Sequence, residues 1–318
     1  MTSHSTVNKR SSSTAPAVPH PVFWRQHSIP LPWTQPSLLS AGGSNVDIAS
    51  FRVVEIDRPT DLSAALELLE QSPDATLLAG GTDLMVEINF GHRRPEHVIA
   101  LRRVEELQDL NGAIGSGVSW ARLERGPHRA LAQAARTVGS PQIRAAGTIG
   151  GNLGTASPAG DGLPFLAAVD AAVELRSADG SRRLQWDEFL TGPKMTAIKP
   201  GELIHAVVLP EEMPERQEFA KVGVRNAMVI SAVMACVVRY QDGRTRVAVG
   251  SAGPTTLRAR AAEAMISAEA NPSEAAMAEF QRLVSEEVRP ITDHRSTESY
   301  RRYAAGVIAR RLLERCLT

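Results

Sequence analysis

Cysteine is nearly absent: Cys236 and Cys316 are the only two in 318 residues, and they form no CxxC pair. This chain therefore cannot ligate an iron–sulfur cluster by itself or build a disulfide framework, and a reducing, cytoplasmic compartment fits such usage. Charge of one sign is also missing, since 35 basic and 35 acidic residues cancel, which excludes a dominant nucleic-acid-binding surface. The longest apolar run, Ala227 to Val238, is broken by Ser231 and falls short of the about 20 residues a bilayer span needs. No lysine lies between Lys9 and Lys194, so a P-loop of the GxxxxGK[ST] type is impossible there, and no G-x-G-x-x-G opens a helix as a Rossmann fingerprint would. The eight histidines show no metal-ligand spacing, and no Ser/His/Asp set or carboxylate pair marks a hydrolytic centre, so no metal ligand and no catalytic residue is assigned.

What is present is an ordinary globular composition, 43% hydrophobic and 22% charged, on a chain long enough for two domains. Residues 1–50 differ: they are rich in Ser and Pro and carry no acidic residue before Asp47. That composition is transit-peptide-like, but the prolines between Pro16 and Pro36 oppose an amphipathic helix, and the stretch reads as a flexible or partner-docking extension. Periodic structure begins with a strand at Phe51–Ile56 and a helix capped by Thr60 with Leu62, Ala65, Leu66 and Leu69 on one face. Strands are expected at Thr76–Ala79, Val98–Leu101 and Ala113–Trp120, and a helix from about Pro127 stops at Gly139-Ser140-Pro141. A short helix at Pro164–Val169, a hairpin turning at Ala178-Asp179-Gly180-Ser181 and a strand at Glu202–Leu209 follow. The charged stretch Glu211–Glu218 divides domains at 51–213 and 214–318. The second part reads as strands Glu218–Arg225, Val229–Tyr240 and Arg244–Ser251, then helices at Leu257–Ala270, Pro272–Val288 and Ser296–Leu317. Strands followed by a helical cluster predict an α+β arrangement.

Two glycine loops organise the first part. Ala79-Gly80-Gly81-Thr82-Asp83-Leu84 follows a strand and opens a helical stretch with Leu84, Ile88 and Met85 as its inward residues; Gly147-Thr148-Ile149-Gly150-Gly151-Asn152 follows a helix end. Paired glycines beside a hydroxyl let a backbone approach a phosphate and offer it N–H groups, and two such loops suggest a diphosphate held from both sides. Each charge-assisted N–H contact contributes about 1.5–3 kcal/mol, so several would hold a diphosphate without a lysine clamp.

Four stretches carry a family resemblance: Leu78 through Leu84; Arg144 through Gly147–Asn152 to Ala156-Ser157-Pro158 and Asp161; Lys221-Val222-Gly223-Val224-Arg225; and Tyr300-Arg301-Arg302. Residues 51–318 thereby resemble the FAD-binding medium subunit of the molybdenum hydroxylases, the group of bacterial xanthine dehydrogenase and carbon monoxide dehydrogenase; residues 1–50 match nothing in those subunits. The resemblance implies a two-lobed FAD-binding fold (PCMH-type, shared with the vanillyl-alcohol oxidase group), followed by an antiparallel sheet plus helices like the CO dehydrogenase flavoprotein C-terminal domain. It implies FAD held by Leu78, Ala79, Gly80, Gly81, Thr82, Asp83, Leu84, Thr148, Ile149, Gly150, Gly151, Asn152 and Asp161. Thr82 and Thr148 hydroxyls would bond phosphate oxygens, Asp161 would bind the adenosine part or order its loop, and Lys221 would lie near the isoalloxazine. Ala145, where asparagine is frequent, and Gly160, where another small or acidic residue is common, depart from the pattern.

The implied role is electron transfer by an oxidoreductase subunit: electrons from molybdopterin on a large partner subunit pass through [2Fe–2S] clusters on a small one to FAD here, then to an external acceptor. The alternatives are a stand-alone FAD-dependent oxidase of the same broader fold and a flavin-less scaffold. The aromatic content of 4% offers no obvious nicotinamide platform, leaving the acceptor open. Arg301, Arg302, Arg310, Arg311 and Arg315 are expected to flank an apolar seam of Tyr303, Val307, Ile308 and Leu312 rather than bind nucleic acid.

Overall fold

A parallel three-stranded sheet opens the computed structural model, which describes residues 54–318; the extension at 1–50 and residues 51–53 of the expected first strand lie outside the described residues. Strands β1 (Glu55–Asp57), β2 (Thr76–Leu78) and β3 (His97–Ala100) pair in the order β1-β3-β2. Helix α1 (Leu62–Gln71) connects β1 to β2 and buries Ala65 and Leu69, as the periodicity predicts. Its cap is Asp61 rather than Thr60: the carboxylate accepts from the Ala64 N–H at 2.9 Å, three residues on, where the Thr60 hydroxyl does not reach. Helix α2 (Leu84–Asn89) leaves the first glycine loop, but Met85 is exposed rather than inward.

The second lobe is an antiparallel sheet of β4 (Ile114–Gly115), β5 (Ala172–Ser177), β6 (Gly180–Gln185) and, after a small hairpin β7 (Leu190–Gly192) and β8 (Met195–Thr196), β9 (Leu203–Val208), ordered β4-β9-β5-β6. The hairpin expected at 178–181 pairs Ser177 with Gly180. The strand expected over Ala113–Trp120 shrinks to two residues because Gly115 and Gly117 donate to Asp109 and Leu107 carbonyls at 2.8 Å, tying the backbone to a local turn. Helices α3 (Trp120–Leu123), α4 (Arg129–Thr137), α5 (Pro141–Ala146), α6 (Ile149–Thr155), α7 (Leu163–Ala168) and α8 (Trp186–Phe189) fill this lobe. Gly139-Ser140-Pro141 is a restart as well as a stop: the Ser140 hydroxyl accepts from Ile143 N–H and Pro141 occupies the first turn of α5.

The last sheet, β10 (Arg216–Val222), β11 (Val233–Arg239), β12 (Thr245–Gly250) and β13 (Leu257–Arg258), is antiparallel in that order, followed by α9 (Arg260–Ser267), α10 (Glu274–Glu287) and α11 (Glu298–Leu317). The helix expected from Leu257 starts later because Leu257 and Arg258 pair with Val249 and Ala248. Every residue of β11 is buried, so this part of the apolar run is core; Met228 and Ile230, expected within the run, are exposed. Strand alternation divides β11 between two cores. Met234, Cys236 and Val238 pack with Leu131, Ala134 and Phe165 of the second lobe; Val233, Ala235 and Val237 pack with Phe280, Val284 and Leu312 of the helices. In α11 the seam holds at Ile308 and Leu312, whereas Tyr303 is exposed and Arg301 is buried. The architecture is the expected α+β one, two lobes followed by an antiparallel sheet with helices.

Candidate functional site

The first glycine loop is built to leave donors unspent. Gly81 takes a left-handed φ of 71°, turning the chain from β2 into α2. The N–H groups of Gly81, Thr82, Asp83 and Leu84 have no acceptor among the described residues. Successive free N–H groups beside a left-handed residue are the makings of an anion nest. Asp83 does not cap α2 with its side chain; its carboxylate accepts from the Thr155 hydroxyl at 3.2 Å, tying the loop to the end of α6.

The second loop spends its N–H groups within the protein, that of Thr148 alone having no acceptor among the described residues. Gly147 donates to Ile143 O at 2.7 Å, Ile149 to Val118 O at 3.1 Å, Gly150 to Ser116 O at 2.8 Å, Asn152 to Thr148 O at 3.1 Å and Gly151 to the Thr148 hydroxyl at 3.0 Å. Its glycines therefore serve close approach rather than donor supply. A Cβ on Gly150 would lie 2.5 Å from Ser116 Cβ, and one on Gly80 only 2.0 Å from the Ala146 carbonyl oxygen. The two loops thus meet backbone against backbone.

Beside that meeting lies a cleft of about 220 Å³, lined by Ala79, Ser116, Ser119, Ala145, Ala146 and Thr148, with Leu101, Arg102, Leu107, Gln108 and Gly117 completing it. Small side chains keep it open, and Ala145 is among them. Thr148 accepts from Gly151 and keeps its own hydroxyl proton to donate. The Thr82 oxygen sits 3.2 Å from the Cβ position of Gly147, at the junction of the loops. Leu78 and Leu84 are half-buried, and Ile149 is a fully buried core residue.

Asp161 and Lys221, sixty positions apart in sequence, form a buried ion pair. Lys221 Nζ donates to Asp161 Oδ2 at 2.8 Å, Oδ1 at 3.0 Å and the Thr137 carbonyl at 2.9 Å; the two side chains are 11% and 6% exposed for Asp161 and Lys221. Burial pushes the Asp161 carboxyl up from its ordinary value, and the ammonium of Lys221 opposes that rise. Lys221 is therefore not the solvent-facing strand residue its alternating sequence also allowed. Asn152 packs under the Asp161 loop: a Cβ on Gly160 would lie 2.9 Å from its Nδ2 and one on Gly162 3.1 Å from its Oδ1, an oxygen buried without a partner among the described residues.

Sequence reasoning missed Arg102, Gln108, Ser116 and Ser119, which join the cleft through tertiary packing; the close-approach glycines Gly115 and Gly117 were the nearest signal. It also missed a cluster on the first sheet, where His97 Nε2 lies 2.7 Å from Asp57 Oδ2 beside Glu55. A half-buried imidazole–carboxylate pair joining neighbouring strands is an ordinary structural contact.

Residues 50–212 match the FAD binding domain in molybdopterin dehydrogenase, and residues 218–316 match the CO dehydrogenase flavoprotein C-terminal domain. The chain belongs to this flavoprotein family. A putative xanthine dehydrogenase FAD-binding subunit of Escherichia coli (strain K12) is 31% identical over 234 residues, 68% of this chain and 78% of that one. The carbon monoxide dehydrogenase medium chain of Hydrogenophaga pseudoflava is 28% identical over 280 residues, 81% of this chain and 95% of that one. The solved carbon monoxide dehydrogenase from Hydrogenophaga pseudoflava, in a form lacking the Mo-pyranopterin moiety, superposes with a TM-score of 0.75 at 28% identity, covering 83% of this chain and 97% of that one. Both glycine loops lie within the matched FAD-binding region, in order and in contact.

Proposed function

We propose that this chain is the flavoprotein subunit of a multi-subunit molybdenum hydroxylase, which carries electrons from [2Fe–2S] clusters of a small partner subunit through FAD to an external acceptor. A large molybdopterin-binding subunit would be the source of those electrons. The observation that carries the reading is the first loop, with unspent N–H groups at Gly81–Leu84 where it meets the second loop beside an open cleft. Such a donor set fits a dinucleotide diphosphate. The domains are taken as 51–213 for FAD binding and 214–318 for the α+β part set against it.

Bound FAD supplies the redox chemistry, accepting and releasing electrons. The chain's own residues hold and orient it. Ala79 to Asp83 would supply backbone donors, the Thr82 and Thr148 hydroxyls would donate to phosphate oxygens, and Gly80 and Gly150 would keep the two loops in register. Lys221 has a role altered by its partner. An isolated ammonium would favour a nearby anion, but Asp161 cancels much of its field, so the pair anchors β10 to the end of α4 and the Asp161 loop. Any flavin-side effect of Lys221 is correspondingly reduced.

Among the described residues no helix is long and apolar enough to cross a membrane, and the sparse, unpaired cysteines agree with a cytoplasmic assembly. Affinity purification of the full chain from its native host tests the reading. A yellow complex with a large and a small companion chain is expected. A lone chain that reduces its own flavin with an organic substrate would instead establish the stand-alone oxidase.

A further inference from the structure

The cleft beside the meeting of the glycine loops, which Ala79 of the first and Thr148 of the second reach, contains one basic side chain among its described lining residues, Arg102, and no acidic one. Arg102 belongs to a 3-10 turn, Leu101–Arg103, that follows β3 directly. The turn is fixed on both sides, since Leu101 and Val104 are buried and Val104 N–H bonds Leu101 O at 3.1 Å. Arg102 itself is exposed and has no hydrogen bond or ion pair among the described residues.

Arg103, next in the chain, is likewise exposed and without a partner among the described residues but does not line the cleft, whereas other basic side chains are engaged. Arg144 binds Glu124 at 3.0 Å and the Val138 and Gly139 carbonyls. Arg122 donates to Gln108 O at 2.7 Å, Lys194 pairs with Glu87 at 3.1 Å, and Lys221 pairs with Asp161. A diphosphate carries negative charge that backbone N–H groups stabilise without neutralising. A planar guanidinium matches phosphate oxygens in a two-point contact.

We propose that Arg102 is the cationic clamp of the cleft, pairing with the diphosphate of the dinucleotide held between the two glycine loops. The inference rests on the flavin reading and adds to it a charged side chain that neither loop contains. Arg102 is a binding residue here, with no part in moving electrons.

The test is made on the full chain, stripped of bound flavin, with FAD titrated by quenching of flavin fluorescence. Arg102→Ala is expected to raise the Kd for FAD about tenfold or more, the loss of one charge-assisted contact. Arg102→Lys should recover part of the loss, because it keeps the charge but not the fork. The salt dependence of binding should flatten in Arg102→Ala. The dissociation constant of ADP, taken from competition with FAD, should rise by a similar factor, while that of adenosine, which lacks the diphosphate, stays as in wild type. Arg102→Ala should melt with wild type, since the side chain has no partner to lose. Wild-type uptake of FAD with an Arg102→Ala affinity within about twofold of it would overturn the clamp and leave the flavin reading standing. A wild-type chain that takes up no FAD would overturn both.

Discussion

At the scale of single residues, the Asp161–Lys221 pair decides how the last sheet is fastened to the cofactor lobe. Both groups are nearly out of water, so their attraction offsets a large desolvation cost, and removing one partner exposes that cost in full. Lys221→Met should destabilise the chain by about 3 kcal/mol, because Asp161 is left buried without its cation. The double variant Asp161→Asn with Lys221→Met should recover much of that loss, since neither charge remains. Urea midpoints of the wild type, both single variants and the double variant check this. Additive losses would show that the two side chains do not depend on each other. The flavin potential adds a separate readout: a pair acting as an anchor predicts a small change on Lys221→Met, whereas an unscreened ammonium beside the ring predicts a large one.

At the scale of elements, α11 shows how a charge can hold a helix in place. Arg301 is buried in its first turn, donating to the Ser251 carbonyl at 2.7 Å and to Asp293 Oδ1 at 2.6 Å. Against the burial that would raise it, the Arg295 N–H and the Arg301 guanidinium hold the Asp293 carboxyl down at about 2. A carboxyl with a folded pKa below its unfolded one contributes stability that is full above the unfolded value of 3.8 and is lost as pH falls toward the folded value. About 1 kcal/mol of that contribution should disappear between about pH 5 and pH 3, and Asp293→Asn should remove this part of the acid sensitivity. Urea midpoints of the two proteins at both pH values check it; parallel pH profiles would refute the assignment. This clamp was hidden in the sequence because an arginine in a helix reads as a solvated face. Periodic apolar positions were legible: Ala65 and Leu69 in α1, the β5–β6 hairpin and the buried centre of β11 all fell where pattern placed them. Contacts between distant segments were not. Asp161 and Lys221 were each singled out, yet nothing in the chain announces that they meet. Nor could glycine spacing distinguish a loop that keeps its N–H groups free, at Gly81–Leu84, from one that consumes all but that of Thr148, at Gly147–Asn152.

At the scale of the whole molecule, the two family-matched regions share a strand between their cores, and the described residues form one unit. Side chains alternate across β11, so Val238 lies in the core with the second lobe and Val237 in the core with the helices, both fully buried. A defect on either side therefore bears on the same backbone. The described tryptophans, Trp120 and Trp186, belong to the lobe-side core, which makes them reporters of a region that Val237 does not touch. Val237→Ala should cost about 2 kcal/mol through lost burial and a residual cavity. If β11 couples the cores, the tryptophan fluorescence transition should move by that full amount, in step with the loss of helical circular dichroism. Two separable domains predict another outcome: the circular dichroism transition splits, its early phase moves, and the tryptophan transition stays where it was. Coincident movement would mean that the cofactor lobe and the helical part unfold together, as expected of a sheet that serves as the wall of both cores.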